Sequence, residues 1–208
     1  DRKKTVLKAI ATQQKLTATL QAAIITAATL QDVEDLYLPY KQKKRTKAMI
    51  ARENGLQPLA DFVLTHLSEE IPTEAYINDA LADAAAVLAG LHEIIAEQIG
   101  EKAIYRQWLR ERMQRDGFLT VTVKRDGEEK DAQGVYAQYY DYSESLKSLQ
   151  MNTFRILAVN RGEKDGVLSV KIDFSEERMR HFIQIKERNG QGDSGEGYQV
   201  LLSAIDDA

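Results

Sequence analysis

The sequence predicts a mainly α-helical protein, a multi-helical domain with a helix-turn-helix-like unit and a small β element. Residues 5–31 carry regularly recurring apolar side chains without glycine or proline, which is typical of a long amphipathic helix. Later segments show similar spacing and follow residues that cap helices. Two segments, 118–123 and 167–172, alternate apolar and polar residues, so they are expected to pair as strands.

The helix-turn-helix-like unit follows Pro39, which lacks an amide hydrogen and therefore interrupts the first helical stretch. Thr46 is expected to cap a short helix that runs through Arg52. The pair Asn54-Gly55 tolerates a left-handed turn at the end of that helix. Pro58 suits the first turn of the next helix, so the predicted unit is a helix, a tight turn and a second helix.

The later helices are predicted from their caps and breaks. Asn78 or Asp79 is expected to cap a long helix that Gly100 ends or bends. The next helix, 101–115, is expected to bury Ile104 and to turn its arginines outward. Three further helices are expected at 135–149, 153–161 and 175–186.

This pattern divides the chain into three predicted parts. They are a helical N-terminal region (1–117), a mixed segment of helices and short strands (118–188), and a flexible Gly-rich loop with a C-terminal tail (189–208). Because the sequence starts without Met and ends in a polar tail, we expect it to be a fragment of a longer protein.

The composition favours a globular cytoplasmic protein. With 208 residues, 43% of them hydrophobic, the chain can bury a core. Cysteine is absent and no secretory segment precedes the fold, so disulfides and cysteine-based metal sites are not expected. The longest apolar stretch, 22–30, is much shorter than the roughly 20 residues that cross a bilayer, so no membrane association is predicted.

Charge is distributed unevenly along the chain. Residues 1–60 hold 11 Lys and Arg against 5 Asp and Glu, although the whole chain has a net charge of −4. A local basic face of this kind suits contact with an anionic partner, whereas the alternative is a solvated helix surface of mixed sign. The candidate nucleic-acid-binding residues follow an apolar segment, 36–40, and are Lys41, Lys43, Lys44, Arg45, Lys47 and Arg52.

Motifs for cofactor, metal and catalytic chemistry are incomplete. The glycines of 190–195 match the letters of a dinucleotide-binding fingerprint, but a predicted helix precedes them where that motif requires a strand. His92 and Glu93 begin like a zinc-protease helix, yet Ala96 stands where the second histidine is required. Acidic pairs and serines lack a recognisable base or nucleophile partner. We therefore predict no cofactor, no metal site and no enzymatic activity.

Two other features have alternative interpretations. A tyrosine cluster in 136–142 could stack on unpaired bases, but its helical spacing favours core packing. The helix that begins at Pro58 could read DNA as the second helix of a helix-turn-helix. That helix offers Asp61 and no Lys or Arg before His66, so an αα packing unit is favoured.

Three sequence blocks resemble the bacterial Tex family of transcription accessory proteins, which are related to a eukaryotic transcription elongation and histone-chaperone factor. The first block joins Glu34-Asp-Leu-Tyr-Leu-Pro-Tyr-Lys with Lys44-Arg-Thr and Ala51-Arg-Glu-Asn-Gly-Leu56. The second is Tyr139-Tyr-Asp-Tyr-Ser-Glu144, and the third is Arg155-Ile-Leu-Ala-Val-Asn-Arg-Gly-Glu163 with Asp165-Gly-Val-Leu168.

The resemblance implies a piece of the N-terminal helical region of a multidomain protein that also has an RNase-H-like domain, helix-hairpin-helix elements and an RNA-binding OB-fold domain. The implied partners of the intact protein are nucleic acid, RNA or DNA, and the transcription machinery. For this chain we expect a non-catalytic scaffold whose basic residues contact nucleic acid without sequence preference. The alternative is a protein-interaction scaffold that makes no direct nucleic-acid contact.

Overall fold

The computed structural model describes residues 2–41 and 44–208. Within these ranges helices predominate and three strands form one sheet, which confirms the mainly α prediction. No helix in the described ranges combines the length and apolar character that a membrane crossing needs. The helices are α1 (Arg2–Thr12), α2 (Ala18–Thr26), α3 (Leu30–Tyr37), α4 (Lys47–Glu53), α5 (Gln57–Thr65), α6 (Ala84–Gly100), α7 (Ala103–Asp116), α8 (Gly127–Lys130), α9 (Leu146–Leu149), α10 (Thr153–Lys164), α11 (Glu176–Arg188) and α12 (Glu196–Asp207). The strands are β1 (Phe118–Val123), β2 (Asp141–Ser145) and β3 (Leu168–Asp173), and 3-10 turns lie at Leu38–Tyr40, Thr73–Tyr76 and Ala137–Tyr139.

The chain divides into two compact units. The first unit consists of Asp1–Gln107 and Arg178–Ala208, and the second unit is Trp108–Glu177. The main core of the first unit is built around α6, which packs against α4, α5 and α12. Leu91, Ile94 and Ile95 of α6 are fully buried there, so this helix is the support on which the candidate site is placed.

The N-terminal stretch forms three helices, so the prediction of a single helix over 5–31 is wrong. The chain turns after α1 at Gln14, which has a φ of 57°. Thr17 then caps α2 with its hydroxyl oxygen, and Thr29 forms a capping box with Asp32 at the start of α3. These caps satisfy the free amide groups of a new helix start, and they override a hydrophobic pattern that would allow one continuous helix. The three helices enclose a small core of their own, and its buried members are Val6, Ile10, Ile24 and Val33.

The predicted short helix, tight turn and second helix are present as α4, a short turn and α5. Thr46 caps α4 by accepting the Met49 amide, as predicted. Gly55 has a φ of 86°, the left-handed conformation that glycine adopts without strain. Asp83, and not Asn78 or Asp79, caps the long helix α6.

The second unit contains an antiparallel sheet with the strand order β2-β1-β3. The predicted pairing of 118–123 with the later strand is confirmed, and Val121 lies opposite Val170. The helix predicted over 135–149 is wrong, because most of this segment is a turn followed by β2. The carboxylate of Asp131 accepts the amides of Val135 and Tyr136, and these bonds hold the turn that leads into the strand.

The apolar face of α7 differs from the predicted one by one residue. Ile104 is exposed, whereas Tyr105 is buried and donates its hydroxyl hydrogen to Glu187 of α11. Lys102 also contacts this buried carboxylate, with its Nζ 2.6 Å from Oε1. The acidic partner comes from a helix more than 80 residues away, so the local pattern could not indicate which face turns inward.

The Gly-rich loop and the residues after it are ordered by specific contacts. Gln191 accepts the Leu67 amide at 2.9 Å and donates to the Leu64 carbonyl oxygen at 2.9 Å. Glu196 accepts the Ile71 amide at 2.9 Å. The sequence predicts a tail after this loop, but 196–207 form α12, which returns against α6 and adds to the first core.

Candidate nucleic-acid interface

Thr46 positions the predicted basic residues by fixing the start of α4. Its hydroxyl oxygen accepts the amide of Met49 at 3.1 Å, and its hydroxyl hydrogen is donated to Glu97 Oε2 at 3.0 Å. Because Glu97 lies on α6, one threonine both caps α4 and ties it to the central helix. The side chains just before and after Thr46 therefore extend from a fixed backbone.

Arg52 contacts other helices of the fold and is not turned out to solvent like Arg45 and Lys47. Its Nη1 lies 2.5 Å from Glu97 Oε1, and its Nε donates to Gln57 Oε1 at 2.9 Å. Glu97 thus accepts a hydrogen bond from Thr46 on one carboxylate oxygen and one from Arg52 on the other. Both members of the ion pair are largely buried, so Arg52 joins α4, α5 and α6 and is poorly placed to meet an outside ligand.

Arg45 and Lys47 are ion-paired but exposed. Arg45 Nη2 lies 2.5 Å from Glu53 Oε2, and Lys47 Nζ lies 2.8 Å from Glu93 Oε1. The side chain of Arg45 is nevertheless 67% exposed and that of Lys47 is 80% exposed. The hydrogen bond to Glu93 raises the pKa of Lys47 above its usual value.

Lys44 and Lys41 differ in their surroundings. Lys44 is exposed immediately before Arg45. Lys41 Nζ lies 2.9 Å from Glu34, and Arg2 contacts the same carboxylate at 2.5 Å. The hydrogen bond from Arg2, followed by that from Lys41, lowers the pKa of Glu34 to about 2. Lys43, which the sequence also nominates, lies outside the described residues.

The structure therefore brings three of the predicted residues together in what we call the basic segment: Lys44, Arg45 and Lys47. Sequence reasoning missed Glu93 and Glu97 as partners of Lys47 and Arg52, because they come from α6. Glu93 and Glu97 are spaced by four along α6, and that spacing is the one local signal that they share a face.

A cavity of about 540 Å³ lies beside the basic segment. Its lining includes Lys47, His92, Glu93, Glu97 and Asp207, and His92 Nε2 lies 3.5 Å from Asp207 Oδ2. Charges of both signs therefore surround this space, which does not select for an anion. In the part of the chain that the structure describes, no group of three or more His, Cys, Asp or Glu side chains could hold a metal ion.

The tyrosines of 136–142 pack into the second unit. Tyr136 and Tyr139 are buried in its core, and Tyr139 meets Tyr142 edge to face at 5.3 Å between ring centroids. The hydroxyl groups of Tyr136 and Tyr140 donate to carboxylates, those of Asp165 and Asp131. This arrangement agrees with the core-packing interpretation and leaves the buried rings unable to stack on bases.

Comparisons with known proteins agree on one family. Residues 66–195 match the family model described as Tex central region-like. YdcI of Bacillus subtilis is 36% identical over all of this chain and 29% of its own length. The transcriptional accessory protein Tex of Neisseria gonorrhoeae is 39% identical over 84% of this chain and 23% of its own length. The human S1 RNA-binding domain-containing protein 1 is 26% identical over 97% of this chain and 21% of its own length.

The chain thus spans less than a third of each of these relatives. The family model nevertheless covers more than half of the chain, from the residue after α5 through the whole sheet to the Gly-rich loop. The family resemblance is confirmed by this match, which contains the second and third sequence blocks, together with the relative named Tex. The chain belongs to the Tex family of transcription accessory proteins.

Proposed function

We propose that this chain is a non-catalytic helical scaffold within a longer Tex-family protein, and that its basic segment contacts nucleic-acid phosphates without sequence preference. The observation that carries the proposal is the exposure of Arg45 and Lys47, which persists although both are ion-paired. Lys44 adds a third exposed cation beside them. The name of the human relative, which mentions an RNA-binding domain, and the transcriptional name of the Neisseria relative support this assignment.

The existing ion pairs do not prevent phosphate binding. Exposed ion pairs stabilise a fold by only about 0–1 kcal/mol, so a phosphate can replace Glu53 or Glu93 at little cost. An arginine can donate two parallel hydrogen bonds to a phosphate, and a lysine provides a point charge. Contacts of this kind read no bases, because the phosphates are the same in every sequence.

A scaffold role is also consistent with the strongly shifted carboxylates. Hydrogen bonds from Arg2 and Ser148, respectively the largest causes, lower the pKa values of Glu34 and Glu144 to about 2. Both groups are therefore ionised at neutral pH and cannot donate a proton as a general acid. Their partners lie within the fold and stabilise it. We assign the intact protein to the cytoplasm, with nucleic acid and the transcription machinery as its partners.

The test is binding of the chain to fluorescently labelled single-stranded RNA, single-stranded DNA and duplex DNA over a salt series, followed by anisotropy. Three phosphate contacts predict that log K falls with log salt with a slope of about 2 to 3. Replacing Lys44, Arg45 and Lys47 by Gln should remove most of that slope. The matched control replaces the exposed Lys8, Lys15 and Lys186 by Gln, which removes the same charge elsewhere. Absence of binding at low salt, or equal loss in both variants, would contradict the proposal.

The second candidate function is protein docking through the same basic segment. Glu53 and Glu93 already bind Arg45 and Lys47, so these cations are suited to carboxylates as well as to phosphates. Competition separates the two functions. If poly-L-glutamate displaces the chain from labelled RNA as effectively as unlabelled RNA of equal charge does, an acidic protein surface becomes the favoured partner. If unlabelled RNA competes far better, nucleic acid is favoured.

A further inference from the structure

Strand β3 lies at an edge of the sheet in the second unit. The strand order β2-β1-β3 pairs it with β1 on one side, and no other strand of the described residues pairs with its second side. Its six residues, Leu168–Asp173, include no proline. An edge strand presents a row of backbone groups on which another chain can pair. The outer edge of β3 is therefore a candidate binding site.

The register of the sheet shows which backbone groups of β3 point outward. The Lys124 amide donates to the Val167 carbonyl oxygen at 2.8 Å, so these two residues form a hydrogen-bonded pair at the start of β3. Hydrogen-bonded and non-hydrogen-bonded pairs alternate along an antiparallel ladder. Lys171 therefore directs its amide and carbonyl groups towards β1, whereas Val170 and Ile172 direct theirs away from the sheet.

An apolar groove of about 610 Å³ borders the same strand. Val170, Lys171 and Ile172 all line it. Because consecutive side chains of a strand point to opposite faces, the groove follows the backbone of β3 and not only one of its faces. Leu119 of β1 and Ile156 of α10 contribute apolar lining, and Ile172 is 51% exposed. A strand paired with β3 would place every second side chain on the groove side, next to Val170 and Ile172.

The opposite face of β3 carries one exposed charge of each sign. Lys171 and Asp173 are both exposed, and Asp173 accepts the hydroxyl hydrogen of Thr120 on one carboxylate oxygen. Directly opposite residues of an antiparallel pair share a face, and opposite charges at such positions stabilise the pairing. These charges favour a strand that places Glu opposite Lys171 and Lys opposite Asp173.

We propose that the outer edge of β3 binds an extended segment of a partner protein, which adds an antiparallel strand to the sheet. The backbone of this segment exchanges hydrogen bonds with Val170 and Ile172, and its apolar side chains enter the groove. Its Glu and Lys meet Lys171 and Asp173 on the other face. In this mode of recognition the main-chain bonds supply affinity and the alternate side chains supply specificity. The site lies in the second unit and does not depend on the basic segment.

A single extended segment fits this edge better than a second copy of β3 or a nucleic acid. Helix α10 packs on β3, so two paired copies of β3 would place two copies of α10 on the same face. The paired strands would be about 4.8 Å apart, whereas packed helices need about 8–10 Å between their axes. A phosphate donates no hydrogen bond to the outward carbonyl groups, which a peptide backbone does.

The probe is a fluorescent peptide with blocked ends, Lys-Ile-Glu-Val-Thr-Val, which matches the six residues of β3 in antiparallel register. Two N-methylated forms make a matched pair, because their side chains and charge are the same. Methyl groups on the Ile and Val amides remove the donors that face Ile172 and Val170, so binding should weaken about tenfold or more. Methyl groups on the Glu and Thr amides, which point away from β3, should leave binding close to that of the unmodified peptide.

Hydrogen exchange measured by NMR locates the peptide on the chain. With the peptide at about ten times its Kd, the outward amides of Val170 and Ile172 should exchange about tenfold more slowly. The Lys171 amide, which is directed towards β1, should change little. Protection of alternate amides distinguishes an added strand from a peptide that only enters the groove.

Exchange of the charges tests the register. The parent should prefer the peptide above to Glu-Ile-Lys-Val-Thr-Val by about fivefold, and Lys171→Glu combined with Asp173→Lys should reverse this preference. Lys171→Glu alone should reduce the preference, and it serves as the second variant should the change at Asp173, which contacts Thr120, lower stability. The matched control is Lys8→Glu, an exposed position of the first unit, and it should leave the preference unchanged.

Several results would overturn the proposal. They include equal binding of the two methylated peptides, and an absence of protection at Val170 and Ile172 with about millimolar peptide. Self-association of the chain in sedimentation, with both amides protected before peptide is added, would identify a second copy as the occupant. Labelled RNA that protects the same amides would identify a nucleic-acid site. Circular dichroism and urea unfolding check that each variant folds.

Discussion

Arg155 Nη1 donates to both carboxylate oxygens of Glu144, at 2.9 Å each. Glu144 ends the second block of Tex-like sequence and Arg155 begins the third, so this ion pair joins two family blocks. The hydroxyl groups of Tyr142 and Ser148 donate to the same carboxylate. The side chain of Glu144 is only 12% exposed, and it holds β2, α9 and the start of α10 together.

The first prediction concerns the pH dependence of stability. The hydrogen bond from Ser148, then those from Tyr142 and Arg155, lower the pKa of Glu144 to about 2 from its ordinary 4.5. A carboxyl whose pKa is lower in the folded state stabilises the fold above the unfolded pKa and loses this effect as the pH falls. We therefore expect Glu144→Gln to flatten the fall in the free energy of unfolding between about pH 4.5 and pH 2. Urea unfolding at a series of pH values measures this free energy for the parent and the variant.

Glu34 provides the matched control. Its pKa is also lowered to about 2, by Arg2 first and then by Lys41, and it shares no partner with Glu144. Glu34→Gln should remove a separate part of the same pH dependence, and the two effects should add in the double variant. An acid-limb slope that is unchanged in Glu144→Gln would show that Glu144 does not stabilise the fold in this way.

The second prediction is that Gly162→Ala destabilises the protein although alanine favours helices. A Cβ at this position of α10 would lie 2.5 Å from Leu168 Cδ1 and 3.0 Å from Tyr136 Cδ1. Overpacking costs about 1–3 kcal/mol, whereas the gain in helix propensity is about 1 kcal/mol. The free energy of unfolding in urea should therefore fall, by up to about 2 kcal/mol.

An alanine substitution at an exposed position of the same helix distinguishes the cost of overpacking from the gain in helix propensity. Asn160→Ala adds no bulk to the core and should leave stability unchanged or raise it by about half a kcal/mol. If Gly162→Ala behaved like Asn160→Ala, the close approach of α10 to β3 would not be the reason for glycine at this position. A second replacement, Leu168→Val with Gly162→Ala, should recover part of the loss by making room beside the new methyl group.

The sequence predicts those features that depend on neighbouring residues. Thr46 and Gly55 mark the ends of α4 correctly, because a cap and a left-handed turn are local properties. The features that the sequence does not predict depend on residues far away along the chain. Tyr105 turns inward towards Glu187 across 82 residues, and the strand at 141–145 exists because it pairs with β1.

The candidate site also has some features that neighbouring residues predict and others that depend on distant partners. The exposed positions of Lys44 and Lys47 follow from their charge, since charged side chains are rarely buried without a partner. The structural role of Arg52 depends on Glu97, which lies 45 residues further along the chain. No local pattern around Arg52 distinguishes it from the exposed cations, so the sequence groups all of them as one nucleic-acid contact.

The third prediction tests how Thr46 supports the basic segment. Thr46→Ala removes both the cap on Met49 and the bond to Glu97, and loss of such a cap costs about 1 kcal/mol. Thr46→Ser keeps both hydrogen bonds and should stay close to the parent in urea unfolding. The expected order of stability is therefore the parent, then serine, then alanine. If serine and alanine were equally destabilising, the methyl group and not the hydroxyl would be the stabilising part.

The fourth prediction concerns Gln191, which fixes the Gly-rich loop to the segment after α5. Its Oε1 accepts the Leu67 amide and its Nε2 donates to the Leu64 carbonyl, so one side chain makes both contacts. Gln191→Ala leaves these backbone groups without that partner and should lower the free energy of unfolding by about 1–3 kcal/mol. Gln191→Glu keeps the acceptor for Leu67 but places a carboxylate oxygen against the Leu64 oxygen, so it should not restore stability.

Hydrogen exchange provides the local measurement for this prediction. The Leu67 amide should exchange faster in Gln191→Ala than in the parent, because its hydrogen-bond acceptor is gone. The Ile71 amide donates to Glu196, just after the loop, and serves as an internal reference for opening of the whole loop. Faster exchange at Leu67 alone indicates loss of one bond, whereas faster exchange at both indicates that Gln191 holds the loop in place. Exchange that is unchanged at Leu67 would contradict the prediction, since the amide would then have another acceptor.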